Sequence, residues 1–318
     1  MRYLFRNIAF AVIILFSTSC GDKSSKTIRI GILNGPSAGS FIQMIDHPPV
    51  IGGKKVEIIM KNEPMQIQAL MMQHKIDFAL LPTVMAANLY NKGLDYRMVA
   101  CPIWGTLYLL TNTNLSKLDD LTGKTISVFG QSATPDILLR HVLRQYGVKN
   151  VNIDYSYTSN MEIGQGLLNK KVGFAVISEP LVSVLLAKDK SIKILHKLDC
   201  EEYLDNANKD IFAQTSFLVS DRFSKDNNKI VSEVCEAYSQ CCNFTSEQPD
   251  QAAILMVKHK ISPDISVARR SLPLCNIRYI GAFAIEREIT NYLSIFYQFN
   301  SKSIGGKLPD KDFIYQAY

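Results

Sequence analysis

The sequence predicts an α/β protein of two lobes, each a mainly parallel sheet with flanking helices, joined by two extended segments. Three observations carry this. A short pattern occurs twice: His74-Lys75-Ile76-Asp77-Phe78-Ala79-Leu80-Leu81-Pro82 is echoed by Lys170-Lys171-Val172-Gly173-Phe174-Ala175-Val176-Ile177-Ser178, each copy a helix running into an apolar strand and a proline-bearing loop. Strand-like and helix-like stretches alternate in two separate series, which implies parallel pairing. A helical tail follows the second series, and its apolar faces need a partner to cover them.

In the first series, Thr27–Leu33 alternates as a strand and stops at the turn cluster Asn34-Gly35-Pro36-Ser37-Ala38-Gly39, which can open a helix. Val56–Met60 reads as a strand. Pro64–Gln73 reads as a helix, with proline at its start and Ile67, Leu70 and Met71 on one face. Ile76–Leu81 is a buried strand and Val84–Tyr90 the next helix. Met98–Thr111 is long and extended, with Trp104-Gly105 at its middle.

A polar connector, Leu115–Lys124, leads to the second series. Its strands are Thr125–Phe129, Val151–Tyr157, Val172–Ile177 and Ile192–His196, and its helices Pro135–Tyr146, Met161–Asn169 and Leu181–Ala187. Phe212–Ser220 is extended again. The tail reads as four helices: Lys229–Phe244, Pro249–His259, Pro263–Leu272 and Tyr279–Phe299. Packed back on the first lobe, the tail makes Leu107–Thr111 and Ser216–Ser220 the two crossings, and two crossings make a hinge. The expected boundaries are 27–111 with 216–318 for lobe 1 and 112–215 for lobe 2.

The N-terminus reads as an export signal over residues 1–19. Arg2 and Arg6 precede the apolar run Ile8–Phe16, which is too short for a confident membrane span. Small residues before Cys20 resemble a bacterial lipobox, so Cys20 is the expected lipidated (palmitate-bearing) first residue of the mature chain. Residues 20–26 then form a tether, and the lipid anchor holds the domain at a membrane surface. The expected location is the cell envelope, with the domain in the periplasm or otherwise outside the cytoplasmic membrane.

The 318 residues carry a net charge of +6, and the basic residues are scattered rather than striped with aromatics, which argues against nucleic acid. No motif or histidine arrangement suggests catalysis, a cofactor or a metal site: Ser-His-Asp, H-E-x-x-H, P-loop and G-x-G-x-x-G patterns are all missing. Besides Cys20 there are Cys101, Cys200, Cys235, Cys241, Cys242 and Cys275. A bridge from the Cys235–Cys242 helix to Cys275 and buried free thiols are both open.

Several phrases resemble one family. The lipobox precedes a strand beginning Ile28-Arg29-Ile30-Gly31. Leu70–Pro82 resembles a helix followed by "G-x-I-D-x-A", Leu118–Ile126 resembles "L-x-D-L-K-G-K-x-I", Ile177-Ser178-Glu179-Pro180 resembles "x-x-E-P", and Leu308–Ile314 resembles a common closing phrase. In their order, these resemble the substrate-binding proteins of ABC importers, in the type II periplasmic-binding fold, from the group for nitrate, sulfonates, taurine and thiamine-pyrimidine precursors. The resemblance implies a ligand held between lobes by strand-end loops and helix starts. Carried over, it implies ligand contact at Asn34, Gly35, Pro36, Ser37, Pro82, Thr83, Trp104 and Gly105 on the first lobe, and at Gln131, Ser132, Ala133, Thr134, Ser159, Asn160 and Glu179 on the second. The implied partners are a small-molecule ligand and an ABC permease and ATPase, with the binding protein a monomer.

Local chemistry qualifies that set. Thr134 also reads as the N-cap and Pro135 as the first turn of the following helix. Trp104 reads equally as a buried anchor or as cleft lining. Glu179 can cap the helix after it, or face the cleft, where it would disfavour a bare anion. Helix starts offer backbone N–H groups that suit oxyanions or carbonyls, yet none of these loops contributes Lys or Arg. Trp104, Phe129, Tyr155 and Tyr157 lie near the same mouths. The expected ligand is therefore organic, with a planar or amine-bearing part, such as a nitrogen heterocycle; sulfonates remain open. Two other classes also remain open: an enzyme of this fold, resembling thiamine-pyrimidine synthase or chorismate dehydratase, and a sensing lipoprotein without transport.

Overall fold

The computed structural model describes residues 26–198 and 212–316. Cys20, the export signal, all of the expected tether but Lys26, and Cys200 lie outside the described residues.

The first lobe begins with β1 (Thr27–Leu33), then α1 (Pro36–Ser40), α2 (Ile42–Asp46), the hairpin β2 (Val50–Ile51) and β3 (Lys54–Lys61), α3 (Pro64–Met72), β4 (Phe78–Pro82), α4 (Thr83–Asn91) and β5 (Tyr96–Ile103). The second lobe holds β6 (Leu107–Thr111), β7 (Thr125–Ser127), α5 (Thr134–Gln145), β8 (Asn152–Asp154), α6 (Asn160–Leu168), β9 (Phe174–Ser178), α7 (Leu181–Lys188) and β10 (Lys193–Lys197). The chain returns through β11 (Thr215–Ser220), α8 (Asp221–Ser224), α9 (Asn228–Glu247), α10 (Pro249–Lys258), α11 (Ile265–Leu274), β12 (Ile277–Gly281) and α12 (Glu286–Asn300).

Two sheets result, a seven-stranded one ordered β12-β5-β11-β4-β1-β3-β2 and a five-stranded one ordered β10-β6-β9-β7-β8. β1 is parallel to β3 and β4, and β7 to β8 and β9, as alternating strands and helices require. β11 lies antiparallel between β4 and β5, and β6 lies antiparallel between β9 and β10. Each sheet therefore has one returning strand at its middle, and that strand follows a crossing. Both copies of the repeated phrase end in equivalent strands, β4 and β9.

Four differences from the sequence expectation have physical reasons. β6 belongs wholly to the second sheet, so the first crossing is residues 104–106 and the boundary placed after residue 111 moves there. Tyr279–Phe299 is not one helix. β12 pairs with the otherwise open side of β5, and a 3-10 turn at Ala282–Ile285 precedes α12. An exposed strand edge is costly to leave unpaired, and the segment Ile277–Gly281 covers it. The five-residue helix α2 and the two-residue strand β2 are too short to show a period. Finally, Ala133, not Thr134, is the N-cap of α5.

The first lobe's core packs the inner sheet strands against α9, α10 and α11 through Phe41, Phe78, Phe217 and Tyr238. Phe41 and Tyr238 stack with ring centroids 3.7 Å apart. Cys241 and Cys242 are core residues here. Cys101, Cys235, Cys241, Cys242 and Cys275 are all free, so the bridge to Cys275 is not formed.

Candidate functional site

The loops after β1, β4 and β9 and the first crossing converge on one region. Gly35, the N-cap of α1, has φ of 86°, a left-handed conformation that glycine adopts at little cost. A Cβ placed there would lie 3.6 Å from Pro180 Cδ, so the first-lobe turn faces the loop after β9. Asn34 Oδ1 accepts from the Gly35 N–H at 2.8 Å and holds that turn. The Glu179 N–H donates to the Thr106 carbonyl at 2.9 Å, and Thr106 Oγ1 lies 3.4 Å from Gln214 Oε1. The Gln214 carbonyl accepts from the Thr83 N–H at 2.9 Å, and Ser216 Oγ donates to Thr83 Oγ1 at 3.0 Å. Gly35, Thr83, Glu179 and Pro180 thus surround the point where both crossings pass.

On the second-lobe side, Ser159 Oγ caps α6 by accepting the Glu162 N–H. Asn160 Nδ2 reaches Ser178 Oγ at 3.5 Å, and its buried Oδ1 has no partner, an acceptor left open beside the end of β9. Glu179 is 3% exposed. Its Oε1 accepts from Ser183 Oγ at 2.9 Å, and Ser271 of α11, from the opposite lobe, lies close enough to act on its charge, while the Ser271 hydroxyl is 3.6 Å from Cys275 Sγ. Burial raises the Glu179 carboxyl to about 7, against the lowering effects of Ser183, Ser271 and the Arg270 charge.

Other expected contacts are placed differently. Trp104 is 4% exposed, and its Nε1 donates to the Arg278 carbonyl at 2.7 Å, while the Arg278 guanidinium lies 5.2 Å over the ring. Trp104 is therefore the anchor of the first crossing. Gly105 is tied to the tail, its carbonyl accepting from Asn276 Nδ2 at 2.8 Å. Ser37 is buried and its carbonyl accepts from Ser40 Oγ. Gln131, Ser132 and Ala133 are exposed, and no printed contact joins them to the Gly35–Glu179 group. The Ser132 N–H donates to Asp136 Oδ2 at 2.8 Å. Asp136 is 2% exposed, and its Oδ1 also accepts from Arg140 Nε and the Tyr155 hydroxyl, both at 2.7 Å. The start of α5 thus holds a carboxylate of its own, which uses the donors that an incoming oxyanion would need.

Tyr155 is an aromatic expected near the cleft mouths, but its partners Asp136 and Arg140, and Thr106, Gln214, Ser271 and Arg270, carry no signal of their own in the sequence pattern. Thr106 and Gln214 are marked only by bracketing the crossings. Ser271 and Arg270 come from the tail, where nothing in the sequence indicates which helix meets the second lobe. The α11–β12 turn also bonds across: Tyr108 Oη donates to the Leu274 carbonyl at 2.6 Å, and Lys197 Nζ to Asn276 Oδ1 at 3.1 Å.

Residues 52–252 match the family model described as "NMT1/THI5 like". The chain belongs to the NMT1/THI5-like family. A crystal structure described as an ABC transporter from Parabacteroides distasonis is 33% identical, with 92% of this chain and 100% of that one covered and a TM-score of 0.83. The fold is shared with the periplasmic aliphatic sulphonate binding protein SsuA from Escherichia coli (17% identity, 93% of this chain and 94% of that chain, TM-score 0.73). It is also shared with the periplasmic nitrate-binding protein NrtA from Synechocystis PCC 6803 (11% identity, 91% and 87% covered, TM-score 0.62). No functionally curated protein matches the sequence. Family membership and these neighbours give the type II periplasmic-binding architecture in the two sheets. Among the described residues, no helix is long and apolar enough to cross a membrane.

Proposed function

We propose that the protein is a solute-binding component of an ABC importer: a lipoprotein anchored through Cys20, whose domain lies outside the cytoplasmic membrane and captures a small organic molecule between its lobes. The observation that carries this reading is the convergence of the loops after β1, β4 and β9 on the two crossings, with Gly35 facing Pro180. Loops at strand ends of two lobes joined by two strands can close on a ligand by hinge rotation, which excludes water and completes the contacts. The likeness to an ABC transporter protein over nearly the whole chain supports the importer role. A permease and an ATPase are the partners this role requires, and the binding protein acts as a monomer.

The ligand class follows from which groups are open. Asn160 Oδ1 is an unpartnered acceptor beside the end of β9, Glu179 is an acceptor that lobe opening would uncover, and the Ser132 N–H before α5 is taken by Asp136. A ligand presenting N–H donors, such as a nitrogen heterocycle or amine, complements this lining better than a sulfonate or nitrate does. Gly35, Pro36, Ser37, Pro82, Thr83, Ser159, Asn160 and Glu179 form the proposed contact set. Calorimetry with nitrogen heterocycles, amines, taurine, alkanesulfonates and nitrate tests the reading. Heterocycle or amine binding is expected; tight taurine or nitrate binding with no heterocycle bound would overturn the ligand class.

A further inference from the structure

We propose that Glu179 is a proton-linked latch between the lobes, so that closing the empty cleft takes up a proton and mild acid favours the closed form. This rests on the two-lobed reading above. Glu179 directly follows the strand β9 on the second lobe and is 3% exposed, at the place where α11 of the first lobe packs on α7 and brings Arg270 near its carboxyl. The two lobes meet tightly there. α11 packs against α7, Arg270 and Ser271 of α11 lie close enough to act on the Glu179 charge, and Pro180 faces Gly35. Separating the lobes removes Ser271, Arg270 and the α11 backbone from Glu179 and returns the carboxyl to water. Ser183 stays with it, since both belong to the second lobe.

Among the described residues, the charged and titratable groups facing Glu179 are Arg270 from α11 and Cys275, the residue that ends that helix. α7 offers only the Ser183 hydroxyl and N–H, and the first crossing and α1 offer backbone and Pro180–Gly35 contact. The Arg270 charge favours the carboxylate but is outweighed by desolvation, and burial holds the Cys275 thiol neutral, pushed up to about 12. A protonated Glu179 keeps its Ser183 partner, because that hydroxyl can rotate between donating and accepting.

The sign follows from the two states. In the closed form the carboxyl is raised to about 7, and in the open form it takes its ordinary value of 4.5. The closed form therefore binds the proton more tightly. Its advantage is fully present below 4.5 and is lost as pH rises through about 7, changing at most about tenfold in the closing constant per pH unit between them.

The test uses the ligand-free full chain, with fluorophores at Lys92 on the first lobe and Lys149 on the second. The transfer efficiency of the wild type should shift toward the closed value between pH 8 and pH 5.5, and Glu179→Gln, a neutral isostere, should sit near that value at both. A wild-type distance that does not respond to pH, or a Glu179→Gln variant that responds like the wild type, overturns the latch. A carbon-detected titration of the wild-type Glu179 carboxyl gives a second reading that needs no variant. A midpoint well above 4.5 supports the latch, and one near 4.5 overturns it. No ligand is present, so failure here leaves the calorimetric reading of function standing. A panel in which nothing binds would, in turn, leave the latch standing.

Discussion

Tyr238 offers a measurable handle on how the helical tail supports the first-lobe half of the site. It lies on α9, is fully buried, and stacks on Phe41 immediately after α1, the helix that begins at Gly35. Its hydroxyl is 2.7 Å from Ser40 Oγ. Ser40 Oγ already donates to the Ser37 carbonyl, so Tyr238 is the donor of the pair. Tyr238→Phe removes that one bond and leaves Ser40 still donating, which should cost about 1 kcal/mol. Tyr238→Ala removes the ring as well and opens a cavity against Phe41 and Phe217, which should cost about 3–5 kcal/mol. Urea unfolding of both variants reads the difference at unchanged slope. Because α1 carries Gly35, Pro36 and Ser37, Tyr238→Ala should also weaken ligand binding, while Tyr238→Phe should leave it close to wild type. If the two variants lose the same stability, the assignment of the ring as the main support of α1 is wrong.

Two further outcomes can be measured alongside. Asp136→Ala strips the acceptor from Arg140, Tyr155 and the Ser132 N–H, so a stability loss of about 2–3 kcal/mol is expected. Sulfate should restore about 1.4 kcal/mol of it at tenfold excess over its dissociation constant, and equal rescue by chloride at matched ionic strength would contradict the vacated anion seat. The five free thiols among the described residues are desolvated, with Cys101 pushed up to about 12 and Cys241 to about 11, so iodoacetamide at pH 8 should modify them only after unfolding. Prompt alkylation of Cys241 in the folded protein, followed by mass spectrometry, would contradict its place in the core.

The elements that were legible in the sequence are those with a period or a cap. β1 matches its alternating stretch residue for residue, and α3 begins at the expected proline with Glu63 and Gln66 forming a capping box. The echoed phrase marks β4 and β9, which hold equivalent places beside the returning strands. β12 was not legible because its pattern is meaningful only against β5, more than 170 residues earlier in the chain. The site was legible as loops and less so as contacts. Gly35 lies against Pro180 and Thr83 is tied to Gln214 and Ser216, whereas the Trp104 Nε1–H is taken by the Arg278 carbonyl and the Ser132 N–H by Asp136. Local sequence identifies a residue that can bind; only the fold decides whether another part of the chain has already taken its hydrogen bonds.

The two buried carboxylates of the second lobe make that distinction chemical. Asp136 is held by a backbone N–H, a guanidinium and a phenol, the strong donors that suit a carboxylate. Glu179 is held by the Ser183 hydroxyl and one long backbone N–H contact, with Arg270 near enough to be felt but not to outweigh desolvation. The first arrangement fixes the start of α5 irrespective of what enters the cleft. The second leaves a carboxyl whose charge depends on whether α11 covers it. In this chain the start of α5 is occupied by the Asp136 carboxylate, and Glu179 lies where the lobes meet. The proposed preference for N–H-bearing ligands and the proposed proton sensitivity of closure therefore rest on two different placements, Asp136 inside α5 beside Arg140 and Glu179 just after β9.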